Sequence, residues 1–82
     1  MKRANDNDLG LCSYVYTTDL KKANEASEML ETGCVAVNTP AVAVAEAPFG
    51  GIKQTGYGRE GGSMAIKDYL NIKYTHFGIS YE

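Results

Sequence analysis

A chain of 82 residues that is 44% hydrophobic and 22% charged has the make-up of one folded domain rather than of a disordered segment. At this length only about 60–65% of the unfolded surface can be buried, so marginal stability is expected. The net charge of −2 and the scatter of eight Lys and Arg from Lys2 to Lys73 argue against a nucleic-acid partner, and the absence of any apolar run near 20 residues, with a polar start from Met1 to Leu9, argues against a membrane span or a signal peptide; a soluble, cytoplasmic protein is expected.

In chain order, Lys2-Arg3-Ala4 reads as the last turn of a helix that begins earlier, and Asn5 to Asp8 as a turn. Leu11 to Tyr16 is apolar on both alternating faces, the pattern of a strand covered on both sides, as in parallel sheets. Thr17, Thr18 and Asp19 offer capping oxygens to a helix expected over Leu20 to Thr32, whose apolar stripe is Leu20, Ala23, Ala26, Met29 and Leu30 and whose C-cap is Gly33. Lys21 and Glu25 form an i,i+4 pair on its wet side, and Glu28 and Glu31 are read as solvated carboxylates. Cys34 to Val37 is a second buried strand, which makes Leu11 to Val37 a parallel strand-helix-strand unit, expected to be right-handed.

Asn38 to Ala47 has no clear periodicity and leads into Pro48 to Gly62, which holds six of the nine glycines and reads as a shaped loop. Ser63 is placed as the cap of a short helix over Met64 to Leu70, and Ile72 to Ser80 is a β-rich run with no partner nearby in sequence, an edge suited to pairing with another chain. The fold class is therefore α/β: a small parallel strand-helix-strand unit, a Gly-rich loop, a short helix and a C-terminal strand.

Chemical signals are sparse. Gly56-Tyr57-Gly58-Arg59-Glu60-Gly61 matches G-x-G-x-x-G, yet no buried strand precedes it and no strand ending in an acidic residue follows, so its glycines are read as turn and packing positions. Cys12 and Cys34 lie far apart in sequence without a metal-ligand spacing and are expected to be reduced core residues; no metal site is expected. The residues alone favour Phe49 as a core anchor, Arg59 and Glu60 as solvated helix-end charges, and His76 as a surface or interface residue. No Ser-His-Asp or Cys-His constellation can be assembled around the single histidine.

Pro48-Phe49-Gly50-Gly51 followed by Lys53, Thr55-Gly56 and Gly58-Arg59-Glu60 resembles the C-terminal signature of the aldehyde dehydrogenase superfamily. Arg3-Ala4-Asn5-Asp6 with Leu9-Gly10-Leu11, and Glu31-Thr32-Gly33 with Val35 to Asn38, extend the resemblance upstream, and Asp68 to Tyr74 is similar to the close of succinate-semialdehyde dehydrogenases. The resemblance implies that residues 1–70 match the end of a catalytic domain and residues 71–82 an oligomerisation strand. It implies that Phe49 lines an aldehyde tunnel, that Glu60 helps hold water near the general base, and that Gly50, Gly51 and Arg59 are structural or interface positions. The nucleophilic cysteine, the general base and the NAD(P) domain have no counterpart here, so no catalytic residue is assigned, and NAD or NADP is expected in a full-length member but not on this chain alone. Ala43 stands where succinate-semialdehyde enzymes commonly carry a serine that helps hold the substrate carboxylate, Thr55 where serine is usual, and Asn71 where glutamate is common.

Two readings follow from the resemblance. In one, the chain is a piece of an NAD(P)-dependent aldehyde oxidoreductase that supplies tunnel walls and an oligomer contact. In the other, it is a truncated, catalytically silent module that self-associates or binds a longer relative through residues 72–80.

Overall fold

A computed structural model describes residues 1–80. Its centre is a parallel pair of strands, β2 (Cys12–Val15) and β3 (Cys34–Val37), in register from Cys12 opposite Cys34 to Val15 opposite Val37. The chain passes between them through helix α2 (Leu20–Met29). Asp19 starts that helix, its Oδ1 accepting the Lys22 N–H at 3.1 Å, while Thr17 Oγ1 accepts the Asp19 N–H at 3.1 Å. Asn38 closes the far end of the pair: its Oδ1 accepts the Thr17 N–H and its Nδ2 donates to the Thr17 carbonyl, both at 2.9 Å, so a side-chain amide supplies the next rung of the ladder. The residue adopts φ 58°, a left-handed value that asparagine tolerates better than most side chains.

Helix α2 is shorter than its apolar stripe predicts. Leu30 turns out at ψ 125°, and the cap comes from a distant residue: Asn5 Nδ2 donates to the Met29 carbonyl at 2.8 Å and Asn5 Oδ1 accepts the Glu31 N–H at 2.9 Å. Gly33 is therefore not the C-cap, and its φ is not left-handed. The helix lies on β3 through small residues, and the buried apolar set among the described residues is Ala23, Ala26 and Ala36. Leu20 and Met29 are exposed, since nothing among the described residues forms a second layer over that part of the stripe. The Lys21–Glu25 pair is present at 3.9 Å but is well exposed, so its contribution is small.

Before β2 lie helix α1 (Lys2–Asn5) and strand β1 (Leu9–Gly10), which pairs antiparallel with β4 (Ile52–Lys53). Lys53 gathers this corner, donating to the carbonyls of Asn5 at 3.0 Å and Asn7 at 3.2 Å and pairing with Glu31 at 2.8 Å. Glu31, expected to be simply solvated, thus helps tie the end of α2 to the glycine-rich segment.

After that segment Ala65–Tyr69 forms a 3₁₀ helix, not an α-helix from Met64, and Ser63 does not cap it. The i→i+3 bonds Lys67 N–H to Met64 O and Leu70 N–H to Lys67 O close its turns, the tighter pattern common in short helical pieces. The strand expected over Ile72 to Ser80 is likewise not formed: residues 71–80 have no ladder partner among the described residues, and a β-strand exists only against one. They form an arm that gives the chain a long axis of 71 Å and a radius of gyration of 19.1 Å, against about 12 Å for a compact chain of this length. The last two positions assigned to the oligomerisation strand, Tyr81 and Glu82, lie outside the described residues. No helix among those described is long and apolar enough to cross a membrane.

Candidate functional site

The glycine-rich segment folds back on itself. Phe49 and Glu60 face each other in an antiparallel bridge, the Phe49 N–H donating to the Glu60 carbonyl and the Glu60 N–H to the Phe49 carbonyl, each at 2.7 Å. Residues directly opposite in such a pair project to the same face, so an aromatic ring and a carboxylate eleven positions apart become neighbours. Both line a shallow cleft whose other walls are Ala43, Val44, Ala45, Ala47 and Gly61, apolar apart from the Glu60 carboxylate. Phe49 is half-buried and Glu60 exposed at this surface.

The loop is held from within. Arg59 Nη1 donates to the carbonyls of Gly51 at 2.9 Å and Gly58 at 2.7 Å, and the Arg59 N–H donates to Asp68 Oδ2 at 3.2 Å. Arg59 and Glu60, read from the residues alone as helix-end charges, stand instead in the bridged loop. Gly50 carries no side chain because a Cβ would strike the Gly58 carbonyl and the Arg59 stem; Gly51 would meet Thr55 in the same way. Asp68 was not foreseen as a contributor, and nothing in its local sequence marks it as the acceptor for an amide nine positions earlier.

Thr55 joins the loop to the N-terminal segment, its Oγ1 accepting the Gly10 N–H at 2.8 Å in a part-buried contact. Thr55→Val removes that acceptor and is expected to lower stability by about 0.5–1.5 kcal/mol more than Thr55→Ser, which keeps the oxygen. Urea denaturation of the two variants checks the difference; equal midpoints would show that the hydroxyl does not carry the contact.

The match to a dinucleotide fingerprint does not extend to structure. Gly56, Gly58 and Gly61 have left-handed φ values, but their segment follows a two-residue antiparallel strand and ends in the Phe49–Glu60 bridge rather than at the N-terminus of a helix. The described residues therefore form no cradle for a pyrophosphate. No group of three or more His, Cys, Asp or Glu side chains among them is placed to hold a metal ion. His76 sits on the arm, where Tyr74 Oη lies 3.1 Å from its Nδ1, away from the cleft.

Cys12 and Cys34 are half-buried rather than core residues, and the parallel register sets them side by side, a proximity invisible in their sequence separation. Cys34 Sγ is also 3.8 Å from the Gly50 carbonyl. Burial first, and the adjacent Cys34 second, push the Cys12 thiol above its ordinary value. Since the thiolate is the nucleophile and a raised value leaves less of it, alkylation of Cys12 by iodoacetamide is expected to lag behind that of a free cysteine at pH 8 and to go on rising at pH values where the free cysteine has levelled off. Superimposable pH profiles would remove the proposed shielding.

Comparison with known proteins places this geometry in context. The sequence pattern described as the aldehyde dehydrogenase family matches residues 1–75. The chain is 51% identical over 78 residues to a succinate semialdehyde dehydrogenase of Acinetobacter baylyi, covering 95% of this chain and 16% of that protein. It is 52% identical over 75 residues to a 3-sulfolactaldehyde dehydrogenase of Pseudomonas putida, covering 92% of this chain and 15% of that one. A crystal structure of succinate-semialdehyde dehydrogenase from Burkholderia pseudomallei superposes with a TM-score of 0.85 at 44% identity, over 90% of this chain and 15% of the other. The chain thus spans about one sixth of the length of the relatives it matches, 16% of the first.

Proposed function

The chain belongs to the aldehyde dehydrogenase family, and from that premise we propose that it forms the C-terminal portion of a cytoplasmic, NAD(P)-dependent enzyme that oxidises an aldehyde to a carboxylic acid. The observation that carries this reading is the bridge that sets Phe49 beside Glu60 on the rim of one cleft. In a complete enzyme of this kind NAD(P) would be held by residues other than these and would supply the hydride acceptor. The described residues provide the surroundings: Phe49 packs against the organic part of the aldehyde and excludes water from it, and Glu60 orients a water by accepting its hydrogen bond without itself taking part in bond making. Arg59, Gly50 and Gly51 keep those two side chains in place, and an effect of Arg59 on a subunit interface is transmitted through the loop it ties together.

The substrate class is an aldehyde with an acidic group at its far end, succinate semialdehyde being the first to try, because the relatives named for their substrates include a succinate semialdehyde and a 3-sulfolactaldehyde dehydrogenase. Ala43 offers no side-chain donor to that acidic group, so its partner has to come from elsewhere in the complete site. The second reading, a catalytically silent module that associates through its arm, is favoured by the exposure of Ile72, Tyr74, Phe77 and Ile79.

The two readings separate when this chain replaces the matching segment of the Acinetobacter baylyi enzyme. A chimera that forms NAD(P)H from succinate semialdehyde, and whose Phe49→Ala form has KM raised by about tenfold with kcat less affected, supports the first. A chimera that assembles and binds cofactor yet produces no NAD(P)H supports the second. The chain alone is expected to give no turnover with any aldehyde, and measurable turnover would overturn the assignment of the reacting groups to other parts.

A further inference from the structure

We infer that Cys12 and Cys34 form a reversible, redox-sensitive modification site, closing an intramolecular disulfide between β2 and β3 when the chain meets a peroxide. The two residues are direct partners in a parallel ladder. Adjacent strands lie about 4.8 Å apart, inside the Cα separation of about 4.4–6.8 Å that a disulfide spans, and partners in register project to the same face. Both cysteines are free and half-buried, within reach of a small oxidant but screened from larger reagents. Neither belongs to the cleft formed by Phe49 and Glu60.

The chemistry balances with a peroxide as the only co-reactant. One thiolate attacks a peroxide oxygen, the O–O bond breaks, and the sulfur becomes a sulfenic acid as hydroxide leaves and is protonated to water. The second thiol attacks that sulfur, the S–O bond breaks, and a second water leaves with the disulfide formed. Two thiols are oxidised to one disulfide, and one hydrogen peroxide is reduced to two waters. The crosslink encloses α2 and fastens the two strands whose pairing builds the centre of the fold.

The experiment treats the full chain with hydrogen peroxide and follows intact mass and peptide maps. The expected product has lost two hydrogens, yields one crosslinked peptide containing Cys12 and Cys34, and returns to its starting mass with dithiothreitol. Oxygen additions without loss of hydrogens, or dimers joined between chains, would overturn the inference. The decisive control is Cys12→Ser/Ser13→Cys, which keeps two thiols at nearly the same sequence separation but moves one to a position facing Val35 and the opposite side of the sheet. Closure in the natural chain is expected to be faster by at least about tenfold, the advantage of a pair already held together. Equal rates would mean that chance encounters in an opened chain produce the disulfide, and the built site would be refuted; a control that does not fold closes at the encounter rate and still provides that comparison.

Discussion

Gly33→Ala is expected to lower stability by about 3–5 kcal/mol, at the upper end of what one added methyl group does. A Cβ at this position lands on the Gly50 carbonyl, with the Gly50 carbonyl carbon at 2.7 Å and Gly51 Cα at 3.0 Å. All three obstacles are backbone, so no side chain can swing aside. Relief requires separating the start of β3 from the loop, and the loop is fixed by Arg59 on one side and by the Phe49–Glu60 bridge on the other. A domain of this size has about 4–12 kcal/mol in total, so the substitution removes a large share. Its effect should reach Phe49 and Glu60, whose amides exchange faster once the loop is displaced. Gly78→Ala is the reference, since a Cβ there meets nothing within 4 Å. Urea midpoints and amide exchange compare the two, and equal midpoints would defeat the close-approach argument for Gly33.

The same glycine shows where sequence reasoning stops. Its position after an apolar helical stripe predicts a helix C-cap, a local role for a local pattern. The cap comes instead from Asn5, and Gly33 is small because another segment, seventeen residues later, crosses its backbone. What the sequence makes legible is what depends on neighbours: the parallel strands from runs of apolar residues, the start of α2 from Asp19, the looped character of Pro48 to Gly62 from its glycines. What it hides depends on register. The pairing of Cys12 with Cys34, the bridge of Phe49 with Glu60, and the reach of Lys53 to Asn5, Asn7 and Glu31 each join positions whose separation carries no periodic signal. The candidate site residues are named by family resemblance alone, and the contacts that unite them leave no signal in the sequence.

The arm failed as a predicted strand for a related reason, since β propensity states a readiness to pair and does not supply the partner. That failure leads to the second large effect: ending the chain after Asn71 is expected to abolish self-association. Ile72, Tyr74, Phe77 and Ile79 are 103%, 84%, 83% and 88% exposed, an apolar series that a solitary chain leaves in water. Burial of such side chains stabilises by about 1.5–3 kcal/mol each, and the unpaired backbone of an extended segment can add ladder hydrogen bonds to another sheet edge. Tyr74 and His76, two positions apart and in edge-to-face contact at 6.3 Å, share a side of the arm as residues of an extended strand do. Light scattering at matched concentration should find the full chain as a dimer or larger and the shortened chain as a monomer. Because truncation also removes length, Phe77→Lys/Ile79→Lys provides the sharper comparison: it keeps the backbone, places two charges in the exposed apolar series, and is expected to weaken association by at least about a hundredfold, or 2.7 kcal/mol. If both altered chains retain the oligomer, the surface that joins the copies lies elsewhere, and the exposed faces of Leu20 and Met29 on α2 become the next place to break it.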